Sequence, residues 1–208
     1  MITFTGRIIL PDNDECPNEL DIATGMCRIT RYAGAIYCPL SAHSILVAEL
    51  CYAYTKTDSD LARLSVWARG LLHDAHETVT GEVVGRWKTK ETRALERNLD
   101  ERLCGYFGIN PMDLHAPIIH VLDQLALEYE AEILNLPGWA EYYRRFHPKY
   151  KGPPPEHAEI AQRVLNSEWM SSENVLAGSE KIKTLARALG FIRTKELDKA
   201  RIAIEASY

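Results

Sequence analysis

Apolar residues recur at helical spacing over most of this 208-residue chain, and the texture changes near residue 40. Before that point Pro11, Pro17, Gly25, Gly34 and Pro39 interrupt short β-type runs such as ITF and RIIL. This predicts loops, a short hairpin and one brief helix around 19–29. From Ser41, a favoured N-cap type, a helix runs to about residue 54. Asp58, Ser59 or Asp60 caps the next, which the pattern carries through His76 to an end near Thr80-Gly81. A third covers about 89–107 and stops at Gly108. After Asn110-Pro111 the pattern restarts and gives the longest helix, to about residue 135, ahead of Pro137-Gly138. A short helix to about 146 precedes the linker KYKGPPPE, whose three prolines cannot continue it. Amphipathic stretches follow at about 156–165, 172–189 and 194–206. The fold class is mostly α. A loop-rich segment (1–40) and a helical core (41–148) form one domain, with extra C-terminal helices over 151–208 packed on it.

Composition narrows the classes. Hydrophobic residues at 46% and charged residues at 25% are ordinary for a globular protein. A net charge of −5 speaks against a nucleic-acid partner, and no apolar run approaches the length of a membrane span. The N-terminus lacks the basic start and apolar core of a signal peptide, so a cytoplasmic location is expected. Cys16, Cys27, Cys38, Cys51 and Cys104 show no CxxC spacing and read as reduced thiols rather than a zinc site.

Against this background a few polar residues sit where apolar ones belong. His43 shares its helix face with Leu46, Val47, Leu50 and Tyr54. His73 follows Ala62, Val66, Arg69 and Gly70 on one face, and Asp123 lies with Ile119, Ala126, Leu127 and Glu130. Taken singly, each reads as a satisfied core residue, and Asp74 as a helix-end acid facing water. Taken together, in the order His43…His73-Asp74…Asp123, they form a mixed nitrogen and oxygen donor set. Such a set suits Zn, Mn, Co, Fe or Ni better than Ca. On a continuing helix, His76 and Glu77 stay on the side of His73. Glu77 would hold or deprotonate a water, with an exposed helix-end glutamate as the plainer reading. His76 would donate to a phosphoryl oxygen, or simply be solvated.

These residues resemble the HD-domain metal-dependent phosphohydrolases, most closely the HD-type 5′-deoxynucleotidases and related phage dATP triphosphohydrolases. The resemblance spans about 5–130. TGRIILPDND and DIATGMCRITRYAG resemble the family's N-terminal stretch, SAHSILVA its first-histidine helix, LLHDAHETVTGEV its HD segment, and VLDQLALEYE its last-aspartate helix. It implies that His43, His73, Asp74 and Asp123 bind a divalent transition metal such as Co, Mn or Zn. Glu77 would position the attacking water, and Arg31 and Lys88 would contact phosphate, although both also fit solvated surface cations. Tyr32 and Glu82 would lie against the substrate. Arg28 competes with Arg31, because the stretch to His43 is short. Ala35 stands where many relatives have histidine, Glu82 replaces an aspartate, and His76 a small residue. The implied reaction is hydrolysis of a small-molecule deoxynucleotide to deoxynucleoside plus phosphate or triphosphate. Arg86, Lys88 and Lys90 are candidates for the distal phosphates, or an exposed basic turn. Alternatives are an HD-type phosphodiesterase or nuclease acting on cyclic nucleotides or oligonucleotides, and a silent assembly module. Relatives are often dimers or hexamers, so a homo-oligomer is expected.

Overall fold

The computed structural model describes residues 1–32, 36–83, 87–136, 138–139, 141, 145, 151–170 and 180–208. Ala35, Arg86, most of the helix expected before 146 and the start of the 172–189 stretch lie outside them. The described residues form a helical assembly without strands. Two isolated antiparallel bridges, Ile2 with Ile8 and Thr30 with Pro39, are all the sheet-like pairing they contain. The first closes the small N-terminal hairpin. It is fastened to the bundle by Asp21, which accepts from the Thr5 backbone (2.7 Å) and hydroxyl (2.8 Å).

Helix α1 (Glu19–Arg28) opens with a reciprocal capping box between Asn18 and Asp21. Helix α2 (Leu40–Tyr54) begins one residue before Ser41, so the expected N-cap is wrong. Pro39 occupies that position, its carbonyl accepting from Ala42 (3.0 Å) and His43 (3.3 Å), while Ser41 is buried in the first turn. Every residue from Leu40 to Cys51 is buried. This helix is the spindle of the bundle, enclosed by α1, by α3 (Asp60–Leu72), by α7 (Pro117–Ile133) and by α8 (Ala158–Leu165). An all-round apolar surface is what such a position demands.

Two breaks depart from the periodicity. Helix α3, capped by Ser59, ends at Leu72 rather than running through His76. A turn over 73–76 leads into the one-turn α4 (Glu77–Thr80), which closes at Gly81 with φ 76°. Beyond α5 (Lys90–Phe107), the single long helix expected from Pro111 is two. They are α6 (Pro111–Leu114) and α7, separated at His115-Ala116. Pro117 is the reason: its ring forces Ala116 out of the helical region (ψ 142°) and it has no N–H to continue the ladder. The longest described helix is therefore α5, at 18 residues.

The C-terminal helices pack on the same body. Helix α8 lies on α2 and α7, α9 (Glu180–Arg193) on α1, and α10 (Leu197–Glu205) on α9 and α3. A buried carboxylate fastens them. Glu49 of α2 accepts from the Trp67 indole (2.7 Å) and from Arg201 of α10 (3.0 Å), with Arg163 of α8 3.7 Å away. No described helix is long and apolar enough to cross a membrane.

Helices α2 and α3 approach closely at Gly70, where a Cβ would lie 2.9 Å from both Ala48 Cα and Cys51 Sγ. A Cβ at Gly105, on the exposed side of α5, would meet nothing within 4 Å. Gly70→Ala is expected to destabilise the protein by about 1–3 kcal/mol through overpacking. Gly105→Ala should stabilise it by about 0.5–1 kcal/mol through helix propensity. Urea unfolding of the two variants checks both signs.

Candidate metal centre

The spindle helix carries His43 into the centre of the molecule, where it is wholly buried. Asp123 approaches from α7, and His73-Asp74 from the turn after α3. Asp123 Oδ1 lies 3.1 Å from His43 Nε2 and 3.7 Å from His73 Nε2, while Asp74 Oδ2 lies 3.1 Å from His73 Nε2 and 3.7 Å from His43 Nε2. One donor atom from each residue falls within 4.8 Å of all the others. Neighbouring ligands bonded at 2.0–2.2 Å to one ion stand roughly 3–3.5 Å apart.

Both Nε2 atoms are buried and lack a hydrogen-bond partner. Leaving such nitrogens unsatisfied is costly unless something accepts their lone pairs. Each imidazole is fixed through its other nitrogen. His73 Nδ1 donates to the Gly70 carbonyl at 2.8 Å, and His43 Nδ1 to Glu130 Oε1 at 2.6 Å. These bonds select the tautomer that turns both Nε2 lone pairs inward, the arrangement metal-bound histidines normally have. The donor set therefore fits a divalent ion.

Glu130 is fully buried and also accepts from the Tyr32 hydroxyl, with Arg31 Nε 3.8 Å away. Burial would raise its pKa, but His43, Arg31 and Tyr32 together hold it below the usual glutamate value. Arg31 in turn reaches Asp74 Oδ2 at 3.4 Å. Burial raises both carboxyls, but His73, Arg31 and His43 outweigh it at Asp74, and His43 and His73 at Asp123, bringing both well below the carboxylate range.

The break after α3 decides what the rest of the segment does. Residues 72–78 close tight three-residue turns, from Ala75 N to Leu72 O (3.0 Å), Glu77 N to Asp74 O (3.0 Å) and Thr78 N to Ala75 O (3.2 Å). Glu77 and His76 thereby come within 4.8 Å of Asp74 by one donor atom each. Glu77 is buried, its Oε2 has no partner, and its pKa is pushed up to about 7. Burial is the main cause and the charge of Asp74 the next, offset in part by Arg31, His76 and Lys88. His76 turns toward α5, its Nδ1 2.9 Å from Asp100 Oδ1.

A cavity of about 750 Å³ opens over this cluster, within the range of small-molecule sites. His73, Asp74 and Asp123 line its floor, with His43 beneath them. Arg31, Tyr32, His76, Glu77, Glu82 and Lys88 also line it. The surface-cation readings of Arg31 and Lys88 do not hold: Arg31 is buried, and Lys88 forms an ion pair with Glu96, its Nζ 2.8 Å from Oε1. Arg28 is not among the lining residues. It is exposed at the end of α1, its guanidinium 5.6 Å from the Phe4 ring centre. The Tyr32 hydroxyl donates its hydrogen to Glu130, so it has none left to donate to a ligand. Lys90 is exposed at the start of α5 and outside the lining.

Two groups escaped the sequence reading. The first is Glu130 as the partner of His43, although its position seven residues after Asp123 puts both on one face of α7. The second is the charged stripe Arg93, Glu96, Arg97 and Asp100, which α5 presents to the cavity. Its spacing of i, i+3, i+4 and i+7 was the signal, and Glu96 and Asp100 are buried although charged.

No model of a known protein family matches this chain, and no curated protein matches it.

Metal loading should stabilise the protein by mass action, so stripping with EDTA lowers Tm and adding back Mn or Co restores it. Glu130→Gln is expected to weaken metal affinity by about 10–100-fold, and His43→Ala to remove the Tm gain. Burial lowers the His73 pKa, but Asp74 and Asp123 raise it well above the ordinary value in the metal-free protein. A raised histidine stabilises the metal-free fold at low pH, and that stability is lost as pH rises through the folded pKa. Metal requires the neutral ring, so the Tm gain on loading should grow between about pH 6 and pH 8. Calorimetry across that range reads the sign.

Proposed function

We propose that this protein is an HD-type phosphohydrolase that cleaves the 5′ phosphoester of deoxynucleotides. The observation that carries the reading is a single cavity in which Glu77, Arg31 and Lys88 face the His73, Asp74 and Asp123 donors. The order of those residues along the chain supports it, because it resembles the HD phosphohydrolases. The cavity volume is suited to a nucleotide. A bound divalent transition metal, with Co, Mn or Zn favoured by two imidazoles and two carboxylates, would supply Lewis acidity.

The chain's own residues account for the rest. Glu77, with a pKa near 7, is balanced between its two protonation states at neutral pH and can take a proton from water. The water oxygen bonds to phosphorus, the P–O5′ bond breaks, and the electron pair stays on O5′, which becomes the deoxynucleoside hydroxyl. Arg31 and Lys88 offer positive charge to the equatorial oxygens. Asp100 fixes the ring of His76, a lining residue of the cavity, through Nδ1, and leaves Nε2 without a protein hydrogen bond.

A panel of dNMPs and dNTPs with Mn, Co or Zn tests the reading, resolving phosphate, pyrophosphate and triphosphate. Deoxynucleoside is the expected product. Glu77→Gln should lower kcat by about 10²–10⁴-fold, the usual scale for a lost general base. Asp74→Ala should abolish turnover with an unchanged circular-dichroism spectrum. Turnover of a phosphodiester model substrate, with none of the nucleotides, would replace this proposal with the diesterase alternative.

A further inference from the structure

The cavity continues past the metal donors along one face of α5, and that face is ordered. Asp100, beside His76, marks the end nearest the donors. One turn toward the N-terminus of α5 come Glu96, ion-paired with Lys88, and Arg97, and a further turn brings Arg93. At 1.5 Å per residue the two arginines stand about 6 Å apart along the axis, on one side of the helix.

The cations nearer the floor are already balanced. Arg31 faces Asp74 and Glu130, and Lys88 faces Glu96. Arg97 pairs with no carboxylate among the described residues. Arg93 and Arg97 are both exposed, so their long side chains can meet a ligand projecting outward from the floor. Guanidinium groups suit non-bridging phosphate oxygens, which they bind through paired N–H donors.

We propose that Arg93 and Arg97 form a polyphosphate-tail subsite, which makes the substrate class a nucleoside triphosphate rather than a monophosphate. The inference rests on the phosphohydrolase reading for the nucleoside end. With the α-phosphorus at the floor, the β- and γ-phosphates extend along α5 to the arginine pair. Water then bonds to the α-phosphorus, the Pα–O5′ bond breaks, O5′ takes a proton, and the triphosphate chain leaves intact. A monophosphate reaches Arg31 and Lys88 but not the pair.

The test compares wild type with Arg97→Ala and the Arg93→Ala/Arg97→Ala double variant, both exposed positions on a well-formed helix. In steady state, wild type should favour dNTP over dNMP. The ratio of kcat/KM for the two should fall about 10–100-fold in the double variant, mainly through KM for the triphosphate, as expected for losing contacts to charged oxygens. Titration with inorganic tripolyphosphate, in excess manganese so that chelation does not strip the site, should show a loss of similar size. Orthophosphate should bind weakly to all three proteins. A wild type that prefers dNMP, tripolyphosphate binding indifferent to the arginines, or a single-stranded oligonucleotide binding with the same arginine dependence each overturns the subsite. Absence of nucleotide hydrolysis with every metal overturns the proposed function instead, and the tripolyphosphate titration still decides the subsite.

Discussion

The structure turns on keeping two imidazole nitrogens buried without a protein hydrogen bond. Everything around His43 and His73 works toward that end. Glu130 and the Gly70 carbonyl hold the Nδ1 atoms, so the rings cannot rotate to find other partners. Asp74 and Asp123 each place one oxygen 3.1 Å from one Nε2 and 3.7 Å from the other. Two histidines and two carboxylates at this depth would be a liability if left to one another. A divalent ion would convert the same desolvation into binding free energy, and the outer contacts hold the geometry that such an ion needs.

The helix break after Leu72 is the second determinant. An uninterrupted α3 would have stacked His73, His76 and Glu77 along one stripe, all on the same line of approach. The tight turns over 73–76 fan them out instead. His73 points at the donor cluster, His76 at α5, and Glu77 beside Asp74 with one oxygen unengaged. Three ionisable side chains from five consecutive residues thus line different walls of one cavity.

Much of this was legible in the chain, for identifiable reasons. Helix α2 and three of the four donor positions, His43, His73 and Asp123, stand out because a polar residue on an apolar face breaks a strong period. Gly108 and Asn110-Pro111 punctuate clearly. The break at Ala116 was hidden because PIIHVLDQ continues the apolar rhythm across Pro117, and rhythm outweighed the missing N–H. The early end of α3 was hidden for a similar reason: the turn over 73–76 keeps nearly helical backbone, so its periodicity hardly changes. Arg28 and Arg31 are three residues apart and chemically alike. Only the bridge between Thr30 and Pro39, which turns the chain after α1, directs one inward and leaves the other outside. The role of Glu130 depends on which rotamer His43 adopts, and no pattern of residue types encodes that.

Glu49 and His43 sit on the same enclosed helix, six residues apart, and each is gripped by a different part of the molecule. One end of that rod is clamped by the two C-terminal arginines, the other by the acid on α7. With no solvent-facing side over its first twelve residues, the rod cannot slide or roll without disturbing both clamps. The tail beyond the proline-rich linker is thus mechanically continuous with the innermost histidine of the cluster, although its described residues supply no member of it.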